Sequence, residues 1–311
     1  MVMALLLVRP SRPFQGERKM DIPGAAALFA TLSTLVLAVN RGQKWGWESP
    51  TILGLFAVAA LSLAIFLRVE SRSSSPVLSL GLFKRRAFTI PVLSLVLNFS
   101  GQAAVTFLMP FYLINARGYG SGHTGLVIAT VPAMMLVLSP FAGRVADRWG
   151  FRHKTTLGLA LVTIGLATLA TLEIDTPTYL VMLRLALVGI GAAIFQSPNS
   201  ASILSAVPRT MLGTASASVA TARNIGNAAG LALASTILVG VAEASAGFSS
   251  ARVDRLPADA LLDGVTLAFV AAACFSSTAV VASLFRGERE APAATTGVSS
   301  VPASSPVGAE E

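Results

Sequence analysis

The sequence predicts an all-α integral membrane protein of about eight spans, and three observations carry that reading. Of the 311 residues, 54% are hydrophobic and 12% charged, against about 25% charged in a soluble domain. The apolar residues come in separate runs of roughly 18 to 25, the length a helix needs to cross the bilayer's hydrocarbon. Backbone groups in lipid find no water to bond, so these runs are helices. Lysine and arginine, finally, concentrate in alternate loops.

The spans expected in order are about 22–40, 51–69, 88–114, 124–142, 155–172, 178–196, 214–241 and 262–285. One set of loops holds Arg9, Arg12, Arg18 and Lys19, then Arg68, Arg72, Lys84, Arg85 and Arg86, then Arg144, Arg148, Arg152 and Lys154, then Arg209, then Arg286 and Arg289. The opposite set holds only Arg41, Lys44, Arg117, Arg252 and Arg255, while Arg184 and Arg223 fall inside spans. Cytoplasmic loops retain positive charge, so both termini are expected in the cytoplasm of a cell's plasma membrane.

Residues 1–21 read as the end of a truncated membrane helix and a cytoplasmic linker: residues 1–8 are apolar but lack the basic start and small-residue cleavage site of a signal peptide. In the outer loop, Trp45 and Trp47 suit the headgroup layer. Segment 70–87 reads as an interfacial piece. The tail 286–311, rich in Ala, Pro, Ser, Thr and Gly, is too poor in large apolar residues to order itself.

Several function classes are excluded. The net charge of +8 sits in short loops and makes no basic face for nucleic acid. Cys274 is the sole cysteine, so no intrachain disulfide or thiolate metal site is possible. His123 and His153 lie in opposite loops, no metal site is expected, and no nucleophile elbow or phosphate loop points to an enzyme.

Polar groups in hydrocarbon need a partner or a wet cavity, which makes them candidates for a substrate path. Asn98 and Gln102 share a helix face and either line such a path or bond neighbouring helices. Arg184 either does the same or snorkels to the outer interface. Gln196 and Asn199, with Ser197 and Pro198, are expected to end their span in a polar break. In the next span Arg223 and Asn227 share a face, with Asn224 beside them; a guanidinium there needs an acceptor, in a cavity or on a neighbouring helix. Gly189 and Gly191, and Gly226 and Gly230, are small-residue surfaces for close helix packing. No span interior carries Asp or Glu.

Between the fourth and fifth spans stand Gly143, Arg144, Asp147, Arg148, Gly150 and Arg152. The glycines permit a tight reversal. Arg144 and Arg148 can offset the preceding helix's negative end and pair with Asp147. An ordinary positive-inside loop accounts for the arginines but not for the lone Asp147 or the glycine spacing.

That loop resembles the basic motif of the major facilitator superfamily, in its C-terminal-half copy. The run Trp45 to Pro50, the segment Val69 to Phe88, and Gly213 to Ser216 leading to Arg223-Asn224-Ile225-Gly226 are similar to the family's fourteen-helix drug:proton antiporters. The resemblance implies two extra transmembrane helices over 22–69, a linker over 70–87 and the C-terminal six-helix domain over 88–285. The first five helices and most of the sixth have no counterpart, and neither do the family's usual proton-binding acid and antiporter motif. It further implies multidrug or metabolite efflux driven by a proton gradient, without a bound cofactor, on a small amphiphilic substrate. The loop would act as a conformational latch against a partner half, supplied by the missing N-terminal segment or by a second copy. The alternatives are a self-associating carrier and a non-transporting membrane interaction protein.

Overall fold

The computed structural model describes residues 21–72, 80–145, 151–246 and 257–285, and all regular structure among them is helical. Helix α1, Ile22–Trp45, starts where the Asp21 carboxylate accepts from Gly24 N–H at 2.8 Å, and it stops at Gly46, whose φ of 83° few other residues adopt. Helix α2, Pro50–Glu70, starts with proline behind a Ser49 cap. A 3₁₀ turn, Leu80–Lys84, leads into α3, Arg86–Pro110. Pro110 supplies no N–H, and beyond it the chain widens into a π-helical turn, Phe111–Ala116, closed by Arg117 N–H onto the Tyr112 carbonyl at 3.1 Å.

Helices α4, Ser121–Ile128, and α5, Thr130–Val145, divide one apolar run at Ala129. Then come α6, Phe151–Leu169; α7, Thr178–Ser205; a short 3₁₀ turn, Arg209–Met211; α8, Leu212–Ala246; and α9, Ala258–Leu284. Seven spans among the described residues are long and apolar enough to cross a membrane. The run expected at 155–172 is α6, which starts earlier, on Phe151-Arg152-His153-Lys154, and is diluted by that basic first turn and its threonines.

The sequence reading is corrected at the end of the 178–196 span. Gln196, Ser197, Pro198 and Asn199 make no break: α7 runs unbroken through them to Ser205. Neighbouring helices sustain such a proline, because unwinding here would strand further backbone groups in a dry interior.

Helices α1 and α2 pack mainly on each other, and α1 also touches α8. The remaining helices form one body. Helix α3 packs on α8 and α9, and α7 packs on α5 and α6; α3 meets α7, and α6 meets α9. These contacts pair α3 with α7, α5 with α8 and α6 with α9 as two similar triplets. One departure is that α8 and α9 pack closely while α5 and α6 make no comparable contact among the described residues.

Glycines set the closest crossings. A Cβ on Gly226 would overlap the Val96 carbonyl oxygen, and one on Gly230 the Ser100 carbonyl, so α3 and α8 run parallel with backbones touching. Gly158 and Gly165 of α6 lie against Gly191 and Val188 of α7 in antiparallel register, and Gly189 lies against Val131 of α5. The interior is two apolar clusters. One gathers Phe88, Leu95, Leu159, Phe195 and Ile203; the other gathers Leu108, Tyr112, Leu166, Leu185 and Phe269.

Gly230→Ala is expected to destabilise the helix body by about 1–3 kcal/mol through overpacking, read as a lower unfolding midpoint in detergent. Gly240→Ala, at a position where a Cβ meets nothing within 4 Å, leaves that midpoint unchanged or raises it.

Candidate functional site

The junction of the two apolar clusters is polar. On α3 the cluster of Phe88 and Phe195 ends at Phe99 and that of Tyr112 and Phe269 begins at Ala104; on α8 the corresponding residues are Ala222 and Ala234. Between or beside these limits stand Asn98, Ser100 and Gln102 of α3 and Arg223, Asn224 and Asn227 of α8. The same level of α6 and α9 carries Thr163, which donates to Ser276 Oγ at 2.8 Å.

The sequence-derived candidates separate into three groups. Asn98 and Gln102 come together: Gln102 Nε2 donates to Asn98 Oδ1 at 2.5 Å. Asn98 is fully buried, and its own Nδ2 has no hydrogen-bond partner. Asn199 of α7, equally buried, donates to the Pro91 carbonyl of α3 at 3.1 Å. Helices α3 and α7 run in opposite directions, so this bond sets Gln196 level with Ser94; Gln196 Oε1 and Ser94 Oγ are both buried and unbonded. A dry interior rarely leaves three such atoms without partners, so this α3–α7 seam is a place where water or a ligand polar group would be stabilised.

The second group faces outward. Arg223, Asn224 and Asn227 are exposed on α8, well inside an apolar helix, and the Arg223 guanidinium lies 5.0 Å from the Phe99 ring centroid. That cation–π contact partly replaces an acceptor. Gly226 and Gly230, the packing residues of the same helix, face α3 directly, and Arg223 and Asn227, each three residues before one of them, flank that contact on the side open to the surroundings.

The third group lies apart. Arg184 donates from Nη1 to the Thr171 carbonyl at 3.0 Å, tying α7 to the turn after α6, and does not join the amides of the α3–α7 seam. Gly143 and Arg144 lie on the last turn of α5, while Asp147, Arg148 and Gly150 fall outside the described residues. Arg152 is described: Nη2 donates to the Leu284 carbonyl at 2.6 Å, at the C-terminal end of α9. The sequence reading assigned Arg144 and Arg148 to the end of their own preceding helix and gave Arg152 no helix end; spatial neighbourhood gives it that of α9.

Sequence reasoning passed over the α6–α9 hydroxyl pairs, Thr156 with Ser283 at 2.7 Å as well as Thr163 with Ser276. It also passed over the opposite end, where Tyr112 donates to the Glu173 carbonyl at 2.7 Å and Arg117 lies 4.8 Å from the Tyr119 ring, itself stacked on His123. Serine, threonine and tyrosine in apolar runs were the available signal, one shared with residues that bond only to their own helix.

The sequence profile of the Major Facilitator Superfamily matches residues 22–231 and, in a second alignment, 92–306. The chain belongs to this superfamily. Among curated relatives, the riboflavin transporter RibZ of Clostridioides difficile is 34% identical over 222 residues, which are 71% of this chain and 47% of that protein. The multidrug resistance protein Stp of Mycobacterium tuberculosis is 30% identical over 221 residues, 71% of this chain and 41% of that protein. A tetracycline resistance determinant of Streptomyces rimosus is 30% identical over 228 residues, 72% and 65% of the two chains. The chain thus spans from about two fifths to just under two thirds of the length of these relatives. It is a multi-pass membrane protein of a transporter family, not an enzyme.

Arg152→Gln is expected to lower stability by about 1–2 kcal/mol, because a cation at a helix C-terminus is removed along with its bond. Unfolding midpoints in detergent check this, with Arg152→Lys retaining part of the effect.

Proposed function

We propose that the chain is the C-terminal part of a proton-driven efflux antiporter of the fourteen-helix type, exporting small amphiphilic drugs or metabolites by alternating access. The observation that carries this reading is the exposed polar face of α8. Arg223, Asn224 and Asn227 lie several turns inside an apolar span, and a charge in hydrocarbon is costly unless it faces a wet cavity or a protein partner. In this reading the face lines a cavity shared with a second helical body, a further six-helix half or a second copy of the chain. Rocking of the two bodies then exposes the cavity to either side in turn.

The α3–α7 seam extends the same path. Asn98, Gln102 and Gln196 offer neutral donors and acceptors, which orient a polar group without demanding charge. Glu70, Glu243, Asp259 and Asp263 stand near the ends of their helices and no span interior carries an acid, so in this reading the coupling acid belongs to the other body. Asp147, with Arg144, Arg148 and Arg152 around it, serves as a latch that holds the inner ends of the two bodies together in one state. The loop charges support a cytoplasmic location of that latch and of both termini in the plasma membrane.

Relatives named for tetracycline and multidrug resistance and for riboflavin transport support small molecules as cargo. In the assembled carrier, reconstituted in vesicles with an imposed proton gradient, Arg223→Ala is expected to lower dye efflux about tenfold or more, whereas Arg184→Gln, whose bond is to a turn, leaves most activity. Equal loss in the two variants would argue against a path along α8. In the same vesicles Asp147→Asn is expected to impair efflux while membrane insertion, measured by protease protection, stays normal; unchanged transport would remove the latch.

A further inference from the structure

We propose that the start of α3 and the groove above it hold one anionic phospholipid of the leaflet in which α3 begins. This goes beyond the transport reading and does not depend on it. At the membrane boundary an open concavity of about 430 Å³ is lined by Phe83, Lys84, Arg86, Thr89, Ile90 and Phe285. Its two cations are exposed and no acid pairs with them among the described residues. Phe83, Ile90 and Phe285 give it apolar sides, and Phe285 is 74% exposed on a surface that nothing described covers.

The concavity is built on fixed elements. Leu82 is buried in the cluster of Phe88 and Phe195, Phe83 meets Phe88 edge-on at 5.3 Å, and Thr89 Oγ1 donates to the Phe83 carbonyl at 2.5 Å. The 3₁₀ turn is therefore pinned to the first turns of α3, with Lys84 and Arg86 at its outer edge. No side chain caps the α3 N-terminus, which adds its own partial positive charge to theirs.

Phe83 and Thr89 also line a second groove, of about 300 Å³, formed by Val92, Leu93 and Val96 of α3 with Ser218, Thr221, Ala222 and Ile225 of α8; its exposed surface is apolar, the Ser218 hydroxyl being bonded to the Thr214 carbonyl of its own helix. From Arg86 to Val96 the helix rises about 15 Å, half of the roughly 30 Å of hydrocarbon and so the depth of one leaflet. Cations at the boundary, continued by an apolar channel one leaflet deep, match a phospholipid's anionic head and one acyl chain. Basic pockets between helices at the membrane surface select such heads by charge.

The test is native mass spectrometry of the chain released from nanodiscs of equimolar phosphatidylglycerol and phosphatidylcholine with identical acyl chains. One phosphatidylglycerol is expected to be retained on the order of tenfold over phosphatidylcholine. Lys84→Gln with Arg86→Gln abolishes the preference. Arg68→Gln with Arg72→Gln, an equal loss of charge at the end of α2, preserves it. Leu93→Trp, filling the apolar groove at a position 47% exposed, lowers retention with the cations intact.

Equal retention of the two lipids by the unmodified chain would overturn the proposal. So would equal loss from the α2 pair, which would assign the effect to diffuse surface charge. An unaffected Leu93→Trp variant would do the same, leaving the groove to a protein partner. Circular dichroism checks each fold; should the double variant misfold, Lys84→Gln and Arg86→Gln singly are each expected to lower the preference about threefold.

Discussion

Helices in a bilayer are not driven together by the hydrophobic effect, since lipid tails are as apolar as leucine; close backbone approach and a few hydrogen bonds must hold them. The body built by α3 to α9 follows from that constraint. Gly226 and Gly230 let α8 lie directly on α3, where Ser100 Oγ reaches the Gly226 carbonyl at 3.0 Å. Gly158, Gly165 and Gly191 do the same for α6 and α7, and Gly264 seats α9 against the Leu238 carbonyl of α8. Wherever backbones touch, side-chain choice on the opposite helix faces is released for other tasks.

Polar side chains divide accordingly. Many serines and threonines among the described residues bond a carbonyl three or four residues back, as Thr31 does to Ala27 and Ser218 to Thr214, and thereby disappear into their own helix. The hydroxyl pairs along α6 and α9 cross between helices and hold the rear of the body closed. The amides of α3 and α7 are different, because some of their atoms are buried without partners, and the α8 face carries a guanidinium outward. Both sets of polar groups stand at or beside the junction of the two dry clusters.

Much of this was legible in the sequence, and the failures have physical causes. Hydropathy located the spans because bilayer thickness sets their length. It misjudged the end of the 178–196 span, since Gln196 to Asn199 has the composition of a turn; a turn there would have left backbone groups dry, and Asn199 instead bonds α3. That Asn98 and Gln102 share a face followed from one helical turn of spacing; that they bond each other did not. Arg184 and Arg223 looked alike as lone cations in spans, and only their neighbours separate them: a turn carbonyl for one, an aromatic ring and an open face for the other.

The sequence by itself determined that the chain spans a membrane and where, which loops carry the positive charge, and which helix faces carry small or polar residues. These are properties of a segment and its solvent. Tertiary structure alone decided which glycine meets which helix, that Gly158 and Gly165 matter as much as Gly191, that Arg152 closes the end of α9, and that Lys84 and Arg86 border an apolar groove. Each of these is a relation between residues tens of positions apart, set by helix direction, rotation and register, and a single helix carries no record of its neighbour's register.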